Sequence, residues 1–154
     1  MSLVLDALMN THAFDLDRFL PYLLNQAAEV TSAAFQVHYR TEYGMTQTQW
    51  RVLANLGKHG EMTAVEICRR TFVEKTKVSR AVQALEQAGM LVRGAVAGDR
   101  RRESLALTPS GQKAFLTLGQ RALSFDQALR DKLGADAAAA LAVVLRRLVD
   151  TVED

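Results

Sequence analysis

The apolar residues of this chain repeat at intervals of three and four along nearly its whole length, and in one short stretch they stop doing so. From Leu91 to Thr108 the pattern is strand-like, with Leu105 and Leu107 alternating with small or polar residues. On both sides of that stretch the spacing is helical. A period that changes from helix to strand and back confines the strands to one hairpin and makes the fold mainly α. At 154 residues the chain fits one domain of ordinary size, long enough to bury ~70% of its unfolded surface.

The helical parts can be placed by their end signals. Leu16, Phe19, Leu20, Leu23, Leu24, Ala27, Val30, Ala34 and Val37 mark one face of a long first helix. Its start is expected between Asp17 and Phe19, because Pro21 is tolerated only in a first turn, and Gly44 ends it. Residues 1–14 read as a loose arm or short helix. Thr46 with Gln49 has capping-box spacing and opens a second helix, with Trp50, Leu53 and Leu56 inward and Gly57 and Gly60 closing it. Thr63 with Glu66 repeats the signal for a short helix carrying Ile67 and Cys68. A further helix begins near Lys75, with Val78, Val82 and Leu85 on one face and Gly89 at C′. Two helices joined by a tight turn, the second presenting Lys75, Thr76, Lys77, Ser79 and Arg80, form a helix-turn-helix.

The hairpin follows. Leu91 to Val96 is its first strand, Ala97-Gly98-Asp99 its turn, and Arg100, Arg101 and Arg102 stand at its tip before the second strand from Glu103. Thr108-Pro109 supplies an N-cap and an N1 proline for a long helix with Phe115, Leu118, Ala122, Phe125, Leu129 and Leu133 on one face. Gly134 breaks it, and Asp136 is expected to cap a last helix with Leu141, Val144, Leu145, Leu148 and Val152 inward. The stripes of the first and last two helices are wider than one small winged lobe can cover. A symmetric homodimer is the expected assembly, and it would hold two basic helices at a fixed separation.

Charge placement sharpens this. The formal net charge is only +2. Between Arg69 and Arg102, however, nine basic residues face three acidic ones, a net of +6, which leaves −4 for the remaining residues. Such a compact basic segment is what a phosphate-neutralising surface requires, although a solvated face would look the same by charge alone. Other classes are excluded more simply. A hydrophobic content of 49% argues against a disordered chain. The longest apolar run, Ala137 to Leu145, is too short for the ~20 residues that span a bilayer. Asp6 and the absence of a basic start argue against a secretory leader, and the lone Cys68 fits a reducing, cytoplasmic setting. No phosphate-cradling glycine loop, nucleophile elbow or H-E-x-x-H pair is present, so neither an enzyme nor a cofactor is expected.

Taken together, these motifs resemble the MarR family of bacterial transcriptional regulators from about Leu16 to Val152. The most specific matches are Lys77-Val78-Ser79-Arg80-Ala81-Val82, Leu85-Glu86, Gly89, the wing Asp99-Arg100-Arg101, and Leu107-Thr108. The resemblance implies a winged helix-turn-helix with six helices and a small two-stranded β-wing, its N- and C-terminal helices forming a dimerisation domain. Residues 1–45 would hold the arm and first dimerisation helix, 46–108 the DNA-binding lobe, and 109–154 the remaining dimerisation helices. It implies double-stranded DNA, a pseudo-palindromic operator, as the partner. Lys75, Thr76, Lys77, Ser79 and Arg80 would face a major groove, Arg101 would enter the minor groove with Asp99 orienting its guanidinium, and Arg100 and Arg102 would meet phosphates. A narrow minor groove does concentrate negative potential. Glu74, where a better cap is common, and Phe72, where a small residue is common, depart from the family pattern.

Three further features carry two readings each. Phe35, His38, Tyr39, Tyr43 and Trp50 cluster at the junction of the first two helices. By the resemblance they border a cleft for a small, aromatic effector; by periodicity they are core. Cys68 is a redox sensor or, as its position beside Ile67 favours, a small buried residue. His12, His38 and His59 lack metal-ligand spacing, so no metal is expected. The functional expectation is a dimeric repressor released by a ligand; the alternative is a winged-helix module for protein contact.

Overall fold

The computed structural model describes residues 14–152. The arm expected over residues 1–14, and His12 with it, lies outside the described residues except for Phe14. The chain divides into two compact units, Met1–Ala34 and Phe35–Asp154. In the first, a single 3-10 turn over Leu16–Arg18, capped by the Asp15 carboxylate, precedes helix α1 (Leu20–Tyr43). Pro21 takes the second position of that helix, where its missing N–H has no intrahelical bond to lose. Leu20 and Val30 are each about 70% exposed.

In the second unit, α1 ends at Tyr43 and is followed by α2 (Gln47–His59), β1 (Met62–Thr63), α3 (Ala64–Thr71), α4 (Lys75–Gln87), β2 (Leu91–Val96), β3 (Asp99–Leu107), α5 (Pro109–Leu133) and α6 (Ala135–Val152). Both capping boxes form: the Thr46 hydroxyl accepts from the Gln49 N–H, and the Thr63 hydroxyl accepts from the Glu66 N–H. In each, the Gln or Glu side chain returns to the cap's own backbone N–H. Helix α4 closes through the N–H of Met90 to the Leu85 carbonyl and the N–H of Gly89 to the Glu86 carbonyl, with Gly89 left-handed at φ +73°. The Thr108 hydroxyl accepts from the Gly111 N–H and donates to the Gly89 carbonyl, so one residue starts α5 and ties it back to the end of α4. An added Cβ at Gly111 would overlap the Met90 carbonyl oxygen, so the close passage of these two segments requires glycine.

Three expectations are corrected. The wing is part of a three-stranded antiparallel sheet in the order β1-β3-β2, not a two-stranded one; Met62 and Thr63 pair with Leu105 and Ser104. A two-residue strand is too short for alternation to reveal. Gly57 does not close α2, which runs to His59 and ends at Gly60; the Phe115 ring packs where a Gly57 side chain would stand. Asp136 is not the cap of α6 but lies in its first turn, where its charge favours the helix N-terminus, because the helix starts at Ala135.

The core lies where α2, α3, α4 and the sheet meet the first half of α5. Val52, Leu53, Leu56, Ile67, Val78, Val82, Leu85, Leu91, Leu105 and Leu118 are essentially sealed from solvent. Cys68 is only partly buried, packed against this core. Among the described residues the stripe expected to face inward on α6 is not covered: Leu141, Val144, Leu145 and Leu148 are all exposed, and the Val152 side chain lies outside the described residues.

Candidate nucleic-acid interface

Helix α4 is divided cleanly between two surfaces. Val78, Ala81, Val82 and Leu85 face the core, while Lys75, Thr76, Lys77, Ser79 and Arg80 are all exposed. Three cations, two hydroxyls and no acid thus share the outer face of the first two turns. Glu74 occupies the N-cap and makes no side-chain cap bond, as its poor capping chemistry leads one to expect. In the turn before it Phe72 ends α3 in the left-handed conformation at φ +56°, its N–H donating to the Cys68 carbonyl and its side chain 69% exposed.

The wing has an irregular register that explains where its arginines go. Ala95 pairs with Glu103, and the next residue, Val96, pairs with Asp99. Arg100, Arg101 and Arg102 therefore have no partners on β2; they form a bulge on β3 rather than occupying the hairpin turn, which is Ala97-Gly98. Bulges re-aim the side chains they carry. Arg101 and Arg102 are exposed; Arg100 lies outside the described side chains. The Asp99 carboxylate accepts the Arg101 backbone N–H at 2.9 Å. Through this bond Asp99 holds the path of the bulge at the residue expected to carry the minor-groove guanidinium, since a short side chain two residues away readily reaches the backbone.

One basic residue of the segment does not contribute a free charge. Arg93 on β2 donates from Nε to Glu86 Oε2 at 3.1 Å and from Nη1 to Glu103 Oε2 at 3.0 Å. The two carboxylates, Glu103 foremost, hold its pKa even higher than usual. Arg102 shares a hollow of ≈ 290 Å³ with Glu66 and Glu61 on the other side of the wing. The Glu66 carboxyl is held below its ordinary pKa, chiefly by the backbone N–H of Thr63, then by its hydroxyl, with smaller help from Arg102 and Arg69. On the outer side of α3, Arg69 and Arg70 line a larger hollow of ≈ 650 Å³ with His59 and Phe72, where Arg70 Nη1 lies 3.5 Å from His59 Nε2.

The aromatic cluster is largely filled by itself. Phe35 and Tyr39 are buried, the Phe35 ring lies 5.6 Å from Trp50 and 5.0 Å from His38, and Tyr39 stacks on Trp50 at 6.1 Å. Burial raises the Tyr39 phenol pKa, against a smaller opposing effect of Arg51. Tyr43 packs partly buried against the same core. Phe125 of α5, which sequence spacing did not associate with these residues, closes the cluster at 5.3 Å from Phe35. Open space lies at its edge, a shallow hollow of ≈ 420 Å³ lined by His38, Gln120, Arg121, Ser124 and Phe125. Arg121 pairs there with Glu42 and donates to the His38 carbonyl at 3.3 Å. Among the described residues no cluster of His, Cys, Asp or Glu could hold a metal ion, and no helix is long and apolar enough to cross a membrane.

Comparison with known proteins places this geometry. A sequence model of the MarR family matches residues 43–102, from the end of α1 through the arginine bulge. The transcriptional repressor NicR of Pseudomonas putida is 24% identical over 141 residues, covering 92% of this chain and 89% of that protein. The structure of the MarR family transcriptional regulator SPO1453 from Silicibacter pomeroyi superposes with a TM-score of 0.79 at 29% identity, covering 90% of this chain and 98% of the other. BpsR of Bordetella bronchiseptica, whose DNA binding is described as regulated by 6-hydroxynicotinic acid, shares the fold with a TM-score of 0.79 at 23% identity, over 89% of this chain and 97% of its own.

Proposed function

Since the chain belongs to the MarR family and is a DNA-binding transcription regulator, we propose that it acts as a homodimeric, sequence-specific repressor that a small aromatic acid releases from its operator. The observation that carries this reading is the presence of two basic surfaces on one lobe: the acid-free outer face of the first two turns of α4 and the arginine bulge of β3. Residues 46–108 form the reading lobe, and segments 1–45 and 109–154 supply the dimer contacts. Lys75, Thr76, Lys77, Ser79 and Arg80 address base edges and phosphates of a major groove. Arg101 enters the adjoining minor groove, with Asp99 holding its backbone, and Arg100 and Arg102 approach phosphates.

The exposed stripes of α1 and α6 support the dimer, because apolar area of that extent on a regulator helix gains most from a second copy. Two copies would set the α4 helices about one DNA turn, ~34 Å, apart. NicR is a named repressor, and the ligand described for BpsR supports an aromatic acid as effector. The hollow beside His38 and Phe125 offers an aromatic edge, and Arg121 offers a cation for a carboxylate in exchange for Glu42. Such an effector acts only through a preference for dimers whose α4 helices are mis-spaced for DNA.

The test is selection of duplexes from a random library, followed by affinity measurement across salt. A selected palindrome, bound with log Kd rising by about 0.9 per log unit of salt for each phosphate neutralised, supports the reading. Salt-insensitive behaviour without sequence preference overturns it in favour of a protein-contact module. Aromatic carboxylates that raise the melting temperature and release the selected duplex support the effector; stabilisation that survives Arg121→Ala would sink the assigned site.

A further inference from the structure

Helix α4 and the wing leave the Gly89 turn as two separate arms, and each carries residues proposed to contact a different groove. Strand β1 ties β3 to the lobe only at Leu105 and Ser104, so from Glu103 to the tip the hairpin needs another tie to hold its angle to α4. Arg93 is placed to do so. It sits on β2 opposite Leu105, which makes Glu103 its diagonal neighbour on the same face of the sheet. Glu86 stands on the last turn of α4. The guanidinium fork joins both carboxylates, at 3.1 and 3.0 Å, and the bulge that bears Arg101 begins at the residue next to Glu103.

We infer that Arg93 is a positioning residue that makes the wing and the recognition helix bind DNA as one rigid unit, by clamping Glu86 of α4 to Glu103 of β3. The inference rests on the DNA-binding reading above. Its physical content is effective concentration: once α4 is seated, Arg101 meets its groove at a frequency set by how stiffly the wing is held. A planar guanidinium can serve two carboxylates at once, which a lysine ammonium on a flexible stem does with less geometric control. Arg93 therefore acts through Arg101 and touches no nucleic acid itself.

The experiment uses the full-length protein and a duplex selected by the wild type from a random library. Its informative variant is Glu103→Gln, which removes a negative charge beside a DNA-binding surface. Plain electrostatics predicts tighter binding; the clamp predicts weaker binding, by about five-fold, as for a contact residue coupled to its neighbour. Arg93→Gln weakens binding by at least as much, and both effects vanish in an Arg101→Ala background. Without DNA, hydrogen exchange of the Asp99–Arg102 amides accelerates in Glu103→Gln while the melting temperature stays put. The inference is overturned if Glu103→Gln tightens binding. It is equally overturned if Arg93→Gln keeps its effect on Arg101→Ala and lowers the salt slope by about 0.9, the mark of a direct phosphate contact. Should the wild type select no duplex, the DNA-binding reading fails, while the exchange measurement still decides whether the clamp stiffens the wing.

Discussion

Helices α4 and α6 make opposite use of their apolar residues. Helix α4 is polar over more than half its length, yet Val78, Ala81, Val82 and Leu85 are all at most 4% exposed. Helix α6 is the more apolar of the two, yet Leu141, Val143, Val144, Leu145, Leu148 and Val149 are 38–56% exposed and only Ala138 is buried among its described residues. Apolar content thus does not rank these helices by burial. The apolar face of α4 is covered by contacts inside the chain, and among the described residues that of α6 is left exposed. On the dimer proposed above, the difference separates what one copy can fold alone from what it holds ready for another.

The largest expected effect tests the α4 side. Leu85→Ala, at a site 1% exposed, should cost about 2–5 kcal/mol of unfolding free energy through lost burial and a cavity. Because its contacts lie within the chain, that loss should be the same at every protein concentration in a denaturant titration. A concentration-dependent loss would erase the distinction between the two helices. The α6 side is tested by Leu148→Asp, which places a charge in the exposed stripe. Sedimentation should show the dimer giving way to monomer, with operator affinity reduced about 100-fold or more as the two recognition helices lose their link. Circular dichroism should retain the helical signal of the α2–α4 lobe. A monomer at all concentrations in the wild type would remove the premise.

Much of the fold was legible because its signals are local. Thr46, Thr63, Thr108, Pro109 and Gly89 each mark a helix end through groups within four residues of themselves, and each sits at the end that its chemistry suggests. What escaped depends on residues far apart in the chain. Gly57 looked like a helix stop because the ring that needs its bare Cα, Phe115, is 58 positions away. Strand β1 has meaning only beside Leu105 and Ser104. The same holds at the candidate site. The exposed face of α4 can be read from its spacing, but the unpaired register of Arg100–Arg102 requires knowing that Ala95 faces Glu103. Arg93 counted as one more positive charge until its partners at positions 86 and 103 were seen to surround it. A sign of charge is a property of a residue; its availability is a property of the fold.

That distinction between available and engaged charge can be measured by setting the wing against α5. Arg101→Ala removes a cation with no carboxylate partner among the described residues, and should lower operator affinity about ten-fold, the order of one good groove contact. Arg130→Ala on α5 removes a cation already paired with Asp126 at 2.7 Å, and should leave affinity unchanged. Equal losses from both would mean that the protein's overall field, not the wing contact, governs binding.

The smallest effect concerns how α3 is joined to α4. Phe72 is the one non-glycine residue with positive φ among the described residues, at +56°. A side chain in that region costs roughly 1–2 kcal/mol, which Phe72→Gly would relieve. Glycine also widens the unfolded ensemble, at roughly 0.5–1 kcal/mol. The first effect is the larger, and the exposed ring loses little burial, so the variant should be more stable by about 0.5 kcal/mol. Thr63→Ala, one helix end away, should instead lose ~1 kcal/mol with its cap. Its pH dependence should also flatten in acid. The depressed Glu66 pKa adds stability that is full above the ordinary carboxylate range and is lost as pH falls through the folded value, and this contribution disappears with the Thr63 hydroxyl only in part, since the backbone N–H remains. If Phe72→Gly destabilises the protein instead, the ring contributes a contact that outweighs its strain. The hollow it shares with His59 and Arg70 is then the place to look for what it touches.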